Sequence, residues 1–319
     1  MEDLLAAFGR AEQRALARAI TRCESGRGED LIRALFERAG RALTIGLTGP
    51  PGVGKSTLTA ALVAHARRLE KTVGVISVDP SSPFSHGALL GDRIRLAEHF
   101  TDPGVFIRSM ASRGHLGGVA GATADAVTLM DAFGYDVVLV ETVGVGQSEI
   151  EIAEIADTIL VALQPGSGDT VQMLKAGILE IADVFVVNKR DHPMAIQLQR
   201  EIRSMLEMLD YPGWVPQLVA TQALEAQGID ELWAAIVEHD AYLHASGEIA
   251  HKRRSAFEHR VRALALGALE GRVDAAVASV PDGRDPYGAA RDVVAGFGAD
   301  AAAEAPARRA AARATVKGL

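Results

Sequence analysis

The stretch "GLTGPPGVGKSTLTAALV", Gly46 to Val63, decides the fold. Within it, Gly49-Pro50-Pro51-Gly52-Val53-Gly54-Lys55-Ser56 satisfies G-x-x-x-x-G-K-[ST] in full. The preceding "ALTIGLT" reads as a strand and the following "STLTAALVAHARRLE" as a helix, which is the context this motif requires. Glycines let the backbone turn so that its N–H groups face phosphate oxygens, and the helix N-terminus adds its positive dipole end. Lys55 is expected to reach the β- and γ-phosphates and Ser56 to ligate Mg²⁺. Gly49 through Thr57 are therefore candidate nucleotide-binding residues.

Working outward, the chain alternates short apolar runs with helical stretches from Ala42 onward. The runs are "LTIGLTG", "TVGVISVD", "DVVLVET", "TILVAL", "DVFVVNK" and "VPQLVAT". Most are continuously apolar, as strands buried on both faces of a parallel sheet must be. The helical segments between them imply crossovers, hence a doubly wound α/β domain over residues 41–240. Residues 1–40 read as a helical extension, with Leu4, Leu5, Phe8, Leu16 and Ile20 on roughly one face and Gly40 as a stop. Residues 241–319 carry no strand-like run. They read as an amphipathic helix, the turn "PDGRDP", a short helix and an Ala/Arg-rich tail.

The 319 residues are 48% hydrophobic and 23% charged, the balance of an ordinary globular chain. A net charge of −8 argues against general nucleic-acid binding. The single cysteine, Cys23, excludes an intrachain disulfide and fits a reducing compartment. "MEDLLAAFGR" lacks the features of a signal peptide, and no apolar run is long enough to span a bilayer. The expectation is a soluble, cytoplasmic protein.

Two further motifs choose the base and the chemistry. "NKRD", Asn188 to Asp191, has the N-K-x-D arrangement. A carboxylate at Asp191 can accept from both N1–H and the 2-amino group of guanine, whereas adenine leaves it unpaired. Asn188 and Lys189 join it as candidates. Thr221, Gln222 and Ala223, after the next strand, are candidates for base contacts through backbone groups or a plain strand-to-helix loop. "ETVGVGQSE" has Glu141 and Gly144 where GTPases commonly have Asp-x-x-Gly, with the acid near Mg²⁺ and the glycine N–H on the γ-phosphate; the glutamate is a departure shared with one subset of them. Val145 stands where a Ras-like protein has its water-positioning glutamine, and Gln147 is two residues further on. Slow intrinsic hydrolysis, accelerated by a partner or a conformational change, is the expectation. Asp79 is expected at a strand's carboxyl end beside the phosphate loop, and Asp92 is read either as a helix cap or as a Mg²⁺-linked switch residue. "SMASRGHLGG", Ser109 to Gly118, reads as a mobile loop. Asp169 and Lys175, in "QPGSGDTVQMLKAG", are candidate switch residues.

Together "GPPGVGKST", "SVDPSSPFSHGALLGDRIRL", "SMASRGHLGG", "ETVGVGQSE", "QPGSGD" and "NKRD" resemble the methylmalonyl-CoA mutase-associated GTPases of the MeaB/ArgK type over about residues 40–225. His86 departs from the small residue more common there. The resemblance implies a GTP-hydrolysing chaperone of an adenosylcobalamin-dependent acyl-CoA mutase, gating cofactor loading and helping to remove inactivated cofactor. It also implies homodimers with helical ends, here residues 241–319 as dimerisation arm and tail. Carried over, the Mg²⁺ environment falls on Ser56, Asp79, Asp92 and Glu141, and the catalytic set on Lys55, Glu141, Gln147, Asp92 and Lys175. GTP or GDP and Mg²⁺ are the implied ligands, and cobalamin is not expected to touch the chain.

Three other readings fit the sequence less well. A nickel-delivery GTPase of the hydrogenase or urease maturation type would need a metal site, but the nine histidines form no close cluster. A non-catalytic GTP-binding scaffold sits poorly with Gln147 and the Mg²⁺ set. A signal-recognition-type GTPase would need a Met-rich domain, and only seven methionines are scattered here.

Overall fold

The computed structural model describes residues 1–80, 96, 98–112, 118–142, 151–166, 178–281 and 283–297. Seven parallel strands form one sheet: β1 (Leu43–Thr48), β2 (Val73–Pro80), β3 (Val105–Ser112), β4 (Val137–Glu141), β5 (Thr158–Leu163), β6 (Val184–Val187) and β7 (Gln217–Ala220). Their order is β3-β2-β4-β1-β5-β6-β7, so the sheet is wound in both directions from β1, the strand that feeds the phosphate loop. This is the doubly wound P-loop architecture that the alternating pattern predicts.

The continuously apolar runs are explained by helices on both faces. Val137, Leu139, Leu160, Ala162, Val184 and Val186 point to one side, against α4 (Lys55–Arg68) and α8 (Ile229–Ser246). Val138, Val140, Ile159, Val161, Phe185 and Val187 point to the other. There they meet α5 (Gly118–Phe133), α7 (Ala195–Met208) and the N-terminal helices α1 (Glu2–Gly9), α2 (Gln13–Glu24) and α3 (Glu29–Leu35). Phe8 packs edge-on against Phe133, which ties α1 to α5. A four-residue helix, α6 (Ile178–Ile181), precedes β6, and 3₁₀ turns occupy Phe36–Arg38, Ile152–Glu154 and Ala223–Glu225.

Two expectations change. The N-terminal run is not one continuous helix but breaks between Gly9 and Gln13, where Ala11 takes φ 57°. Leu4, Phe8, Leu16 and Ile20 are buried from two separate helices, whereas Leu5 is only half-buried. Ser109 through Ser112 belong to β3 rather than to a loop; residues 113–117 lie outside the described residues. Arg108 interrupts the apolar pattern that marks the other strands in the sequence. As an edge strand facing α2, β3 turns that guanidinium to Glu24 and to the Thr21 hydroxyl, 3.0 Å away. Asp79, the penultimate residue of β2, stands at that strand's carboxyl end as expected, with β4 between β2 and β1.

The chain divides after Arg260 into two compact units, Met1–Arg260 and Val261–Leu319. Helix α9 (Glu248–Val277) begins in the first. Its opening turns are fastened by Arg253, which grips the buried Asp157 carboxylate at 3.1 and 2.8 Å, and by Lys252, which reaches Asp183 at 3.1 Å. Arg260 reaches Asp125, whose burial raises its pKa above the usual carboxylate range against the opposing pull of that guanidinium. The second unit contains the rest of α9 and a helix, α10, over residues 286–297. Within it Arg272 lies 5.0 Å over the Phe297 ring.

Candidate nucleotide site

The described site residues gather where β1, β4, β5, β6 and β7 end at their carboxyl edges, the position open α/β sheets give to ligands. The phosphate loop leaves β1 through Gly49, at φ 145°, where a Cβ would come within 2.2 Å of the Ala162 carbonyl oxygen on β5. It re-enters helix through Gly54, at φ 94°, with only 2.7 Å between a hypothetical Cβ and Asn188 Nδ2. Any larger residue at either position would be strained twice, by its own φ and by its neighbour. Gly54 caps α4, so the helix dipole opens toward the loop.

Lys55, buried, donates through Nζ to the carbonyls of Gly49 (2.7 Å) and Pro50 (3.2 Å). Its charge is held inside the loop it serves. Ser56 Oγ donates to Glu141 Oε1 at 2.7 Å, and Thr59 Oγ1 donates to Glu141 Oε2 at 2.9 Å. Both carboxylate oxygens are thus oriented from one face of α4, across the β1–β4 boundary. A hydroxyl that donates keeps lone pairs for a cation, and a buried carboxylate beside it supplies hard oxygen. This donor set fits Mg²⁺, which Ser56 and Glu141 would hold while it neutralises phosphate charge. Thr142 Oγ1 also donates to Thr48 Oγ1 at 3.0 Å, joining the ends of β4 and β1.

The N-K-x-D loop is fastened directly to the phosphate loop. Asn188 Nδ2 donates to the Val53 carbonyl at 2.8 Å, while its Oδ1 accepts from Thr221 Oγ1 (3.1 Å) and the Ala223 N–H (3.2 Å). Lys189 Nζ donates to the Gly52 carbonyl at 2.9 Å and also to Gln164. Lys189 adopts φ 59°, an uncommon conformation for a residue with a side chain, and these bonds hold it there. Asp191 follows on the exposed side of the turn, and the Arg190 N–H donates to the Thr221 carbonyl at 3.0 Å. Asn188 therefore brings together the phosphate loop, β6 and the Thr221–Ala223 segment. Gln222 pairs with Gln227 in an isolated bridge that closes the following turn.

Asp92, Gly144, Gln147, Asp169 and Lys175 lie outside the described residues, and of Asp79 only the backbone is described. Three contributors carry no signature in the motifs: Thr59, Gln164 and the Thr48–Thr142 pair. Thr59 was within reach of inspection, because it lies three residues after Ser56 on the same helical face. Gln164 and the threonine pair depend on which strands are neighbours. Among the described residues, no three His, Cys, Asp or Glu side chains converge to hold a metal ion. No described helix is long and apolar enough to cross a membrane.

The family described as "Methylmalonyl Co-A mutase-associated GTPase MeaB" matches residues 16–278. The chain belongs to this family. A Pyrococcus abyssi relative of this GTPase is 46% identical over 283 residues, 87% of each chain. The GTPase ArgK of Escherichia coli is 39% identical over 254 residues, 76% of this chain and 77% of that one. Among solved structures, a crystal structure of an LAO/AO transport system kinase superposes with a TM-score of 0.71 at 28% identity, covering 93% of this chain and 97% of the other. The MeaB/ArgK-type membership makes this chain a P-loop GTPase, and GTP hydrolysis is the general activity of that class.

Proposed function

We propose that this GTPase is the nucleotide-driven chaperone of an adenosylcobalamin-dependent acyl-CoA mutase, methylmalonyl-CoA mutase or a close relative. In this reading it gates cofactor loading and protects or reactivates the mutase. Asn188 and Lys189 carry the nucleotide part, because they bond the guanine-selecting loop to the phosphate loop through the Val53 and Gly52 carbonyls. Asp191 then selects guanine, Lys55 meets the β- and γ-phosphates, and Ser56 and Glu141 hold Mg²⁺, with Asp79 and Asp92 completing its surroundings. Thr221 to Ala223 line the base side.

Hydrolysis is slow in the isolated chain, because Val145 occupies the position after Gly144 and Gln147 must be brought to the water. Lys175 and the neighbouring loop respond to the γ-phosphate. The mutase supplies the missing order. The working protein is a cytoplasmic homodimer built through residues 241–319, and it contacts neither nucleic acid nor membrane.

The experiment is hydrolysis of GTP, with ATP as control, by the full chain alone and with a candidate mutase added. A slow GTP-specific rate that rises with the mutase supports the reading. A GTP-specific rate indifferent to every mutase tried removes the partnership and leaves a GTPase.

A further inference from the structure

Helix α2 buries Ala15, Leu16, Ala19, Ile20 and Cys23 on one face and turns arginines outward on the other. Arg14, Arg18 and Arg22 follow at four-residue intervals, one above the other on that face. Arg27 continues the row beyond the helix end, and Arg108 of β3 flanks it beside Thr21 and Glu24. The surface between them is a shallow groove lined by Ala17, Arg18, Thr21, Arg22, Ser25 and Arg27.

Two carboxylates answer these five guanidinium groups: Asp30 pairs with Arg22 at 2.9 Å, and Glu24 pairs with Arg108. Among the described residues, Arg14, Arg18 and Arg27 have no ion-pair partner. Three positive charges are left uncompensated on one face of a chain whose net charge is −8.

Helix stability does not explain this arrangement. Like charges four residues apart destabilise a helix. The first turn of α2 has no acidic residue, so Arg14 also sits at the positive end of the helix dipole. A face that only needed solubility would have interleaved acids and bases. The row is also too long for a small anion, since Arg14 and Arg22 are separated by about 12 Å along the axis. A single phosphate or carboxylate cannot engage it; a row of acids on another protein can, through bidentate guanidinium–carboxylate pairs.

We propose that the arginine face of α2 is the surface on which an acidic face of the mutase partner docks. This rests on the mutase-chaperone reading above.

The test compares the wild type with the double variant Arg14→Glu, Arg18→Glu, and with a control reversal on α7, Arg200→Glu, Arg203→Glu. All four arginines are exposed. The α2 reversal places acids near the helix N-terminus and four residues from Arg22, so the variant is expected to fold at least as stably as the wild type. Affinity of each GTP-analogue-loaded chain for methylmalonyl-CoA mutase is measured by calorimetry at 50 and 200 mM salt, together with basal GTPase rate and oligomeric state. The α2 variant is expected to bind at least about tenfold more weakly at low salt, with a flattened salt dependence and an unchanged basal rate. The control is expected to bind as the wild type does.

An α2 variant within about twofold of wild type overturns the docking surface while leaving the chaperone reading intact. Wild type that binds no mutase overturns the reading and the surface with it. A changed oligomeric state with unchanged mutase affinity assigns the face to a second copy of the chain, and also overturns the proposal.

Discussion

Asn188→Ala tests whether one buried amide holds the nucleotide site together. The amide is 4% exposed and makes three bonds, to the Val53 carbonyl, the Thr221 hydroxyl and the Ala223 N–H. Those partners are themselves buried: Val53 and Thr221 are 0% exposed and Ala223 is 7% exposed. Each bond is worth about 1 kcal/mol net, and each orphaned buried group adds desolvation cost, so a loss of about 3–5 kcal/mol of stability is expected. Urea unfolding of the nucleotide-free chain measures it, by the shift in midpoint at constant slope. Fluorescent GDP binding measures the second consequence. With the phosphate loop and the N-K-x-D loop unfastened, ordering them falls to the nucleotide, and affinity should drop at least about tenfold, or 1.4 kcal/mol. Asn188→Asp separates the bonds: it keeps both acceptor interactions but sets a carboxylate against the Val53 carbonyl. It should fold better than the alanine variant yet bind GDP poorly. A stability loss under about 1 kcal/mol for Asn188→Ala would show that Lys189 and the backbone suffice, and the amide's central role would be refuted.

Three other outcomes follow from the same geometry. Asp191→Asn should cut GTP turnover by about a hundredfold or more and favour xanthosine triphosphate, whose 2-oxo group accepts from the new amide; hydrolysis of both nucleotides by wild type and variant checks it. Glu141→Gln keeps one oxygen to accept from Ser56, turns its NH₂ as a donor toward the Thr59 hydroxyl and removes the charge, so the Mg²⁺ concentration for half-maximal GTPase rate should rise about tenfold or more in a metal titration. His239 is buried between Thr158 (2.9 Å), Asp183 (3.2 Å) and the Trp214 ring. Burial lowers its pKa below the usual imidazole range, against the opposing pull of the Asp183 carboxylate. The unfolded chain therefore takes up the proton first as pH falls. The stabilisation is full above about pH 6.5 and is lost progressively below it, down through the depressed folded value. Urea midpoints from pH 7.5 to 5 should show this slope in the wild type and a shallower one in His239→Gln.

Much was readable along the chain because the physics is local there. The phosphate loop depends on three glycines with positive φ, Gly49, Gly52 and Gly54, a lysine and a helix start, all within one short stretch. The strands β1, β4, β5 and β6 announce themselves because helices cover both sheet faces and their runs are predominantly apolar. The guanine preference of a GTPase was expected on the same local ground, the hydrogen bonds that one carboxylate in a four-residue turn can offer the base.

What the sequence could not decide is which strands become neighbours. Arg108 hid β3 because its charge is explained only by Glu24 and Thr21 on α2, far away in the chain. The placement of β4 between β1 and β2 sets Glu141 over Ser56 and Thr59. Asn188 was readable as a base-side residue, but its bond to Val53 exists only because β6 and the phosphate loop end at the same sheet edge. Sequence alone determined the residue types the chemistry needs and the local turns that present them. The tertiary structure decided their partners, because a buried hydrogen bond requires two groups within about 3 Å, and only the strand order brings residues that distant in sequence so close.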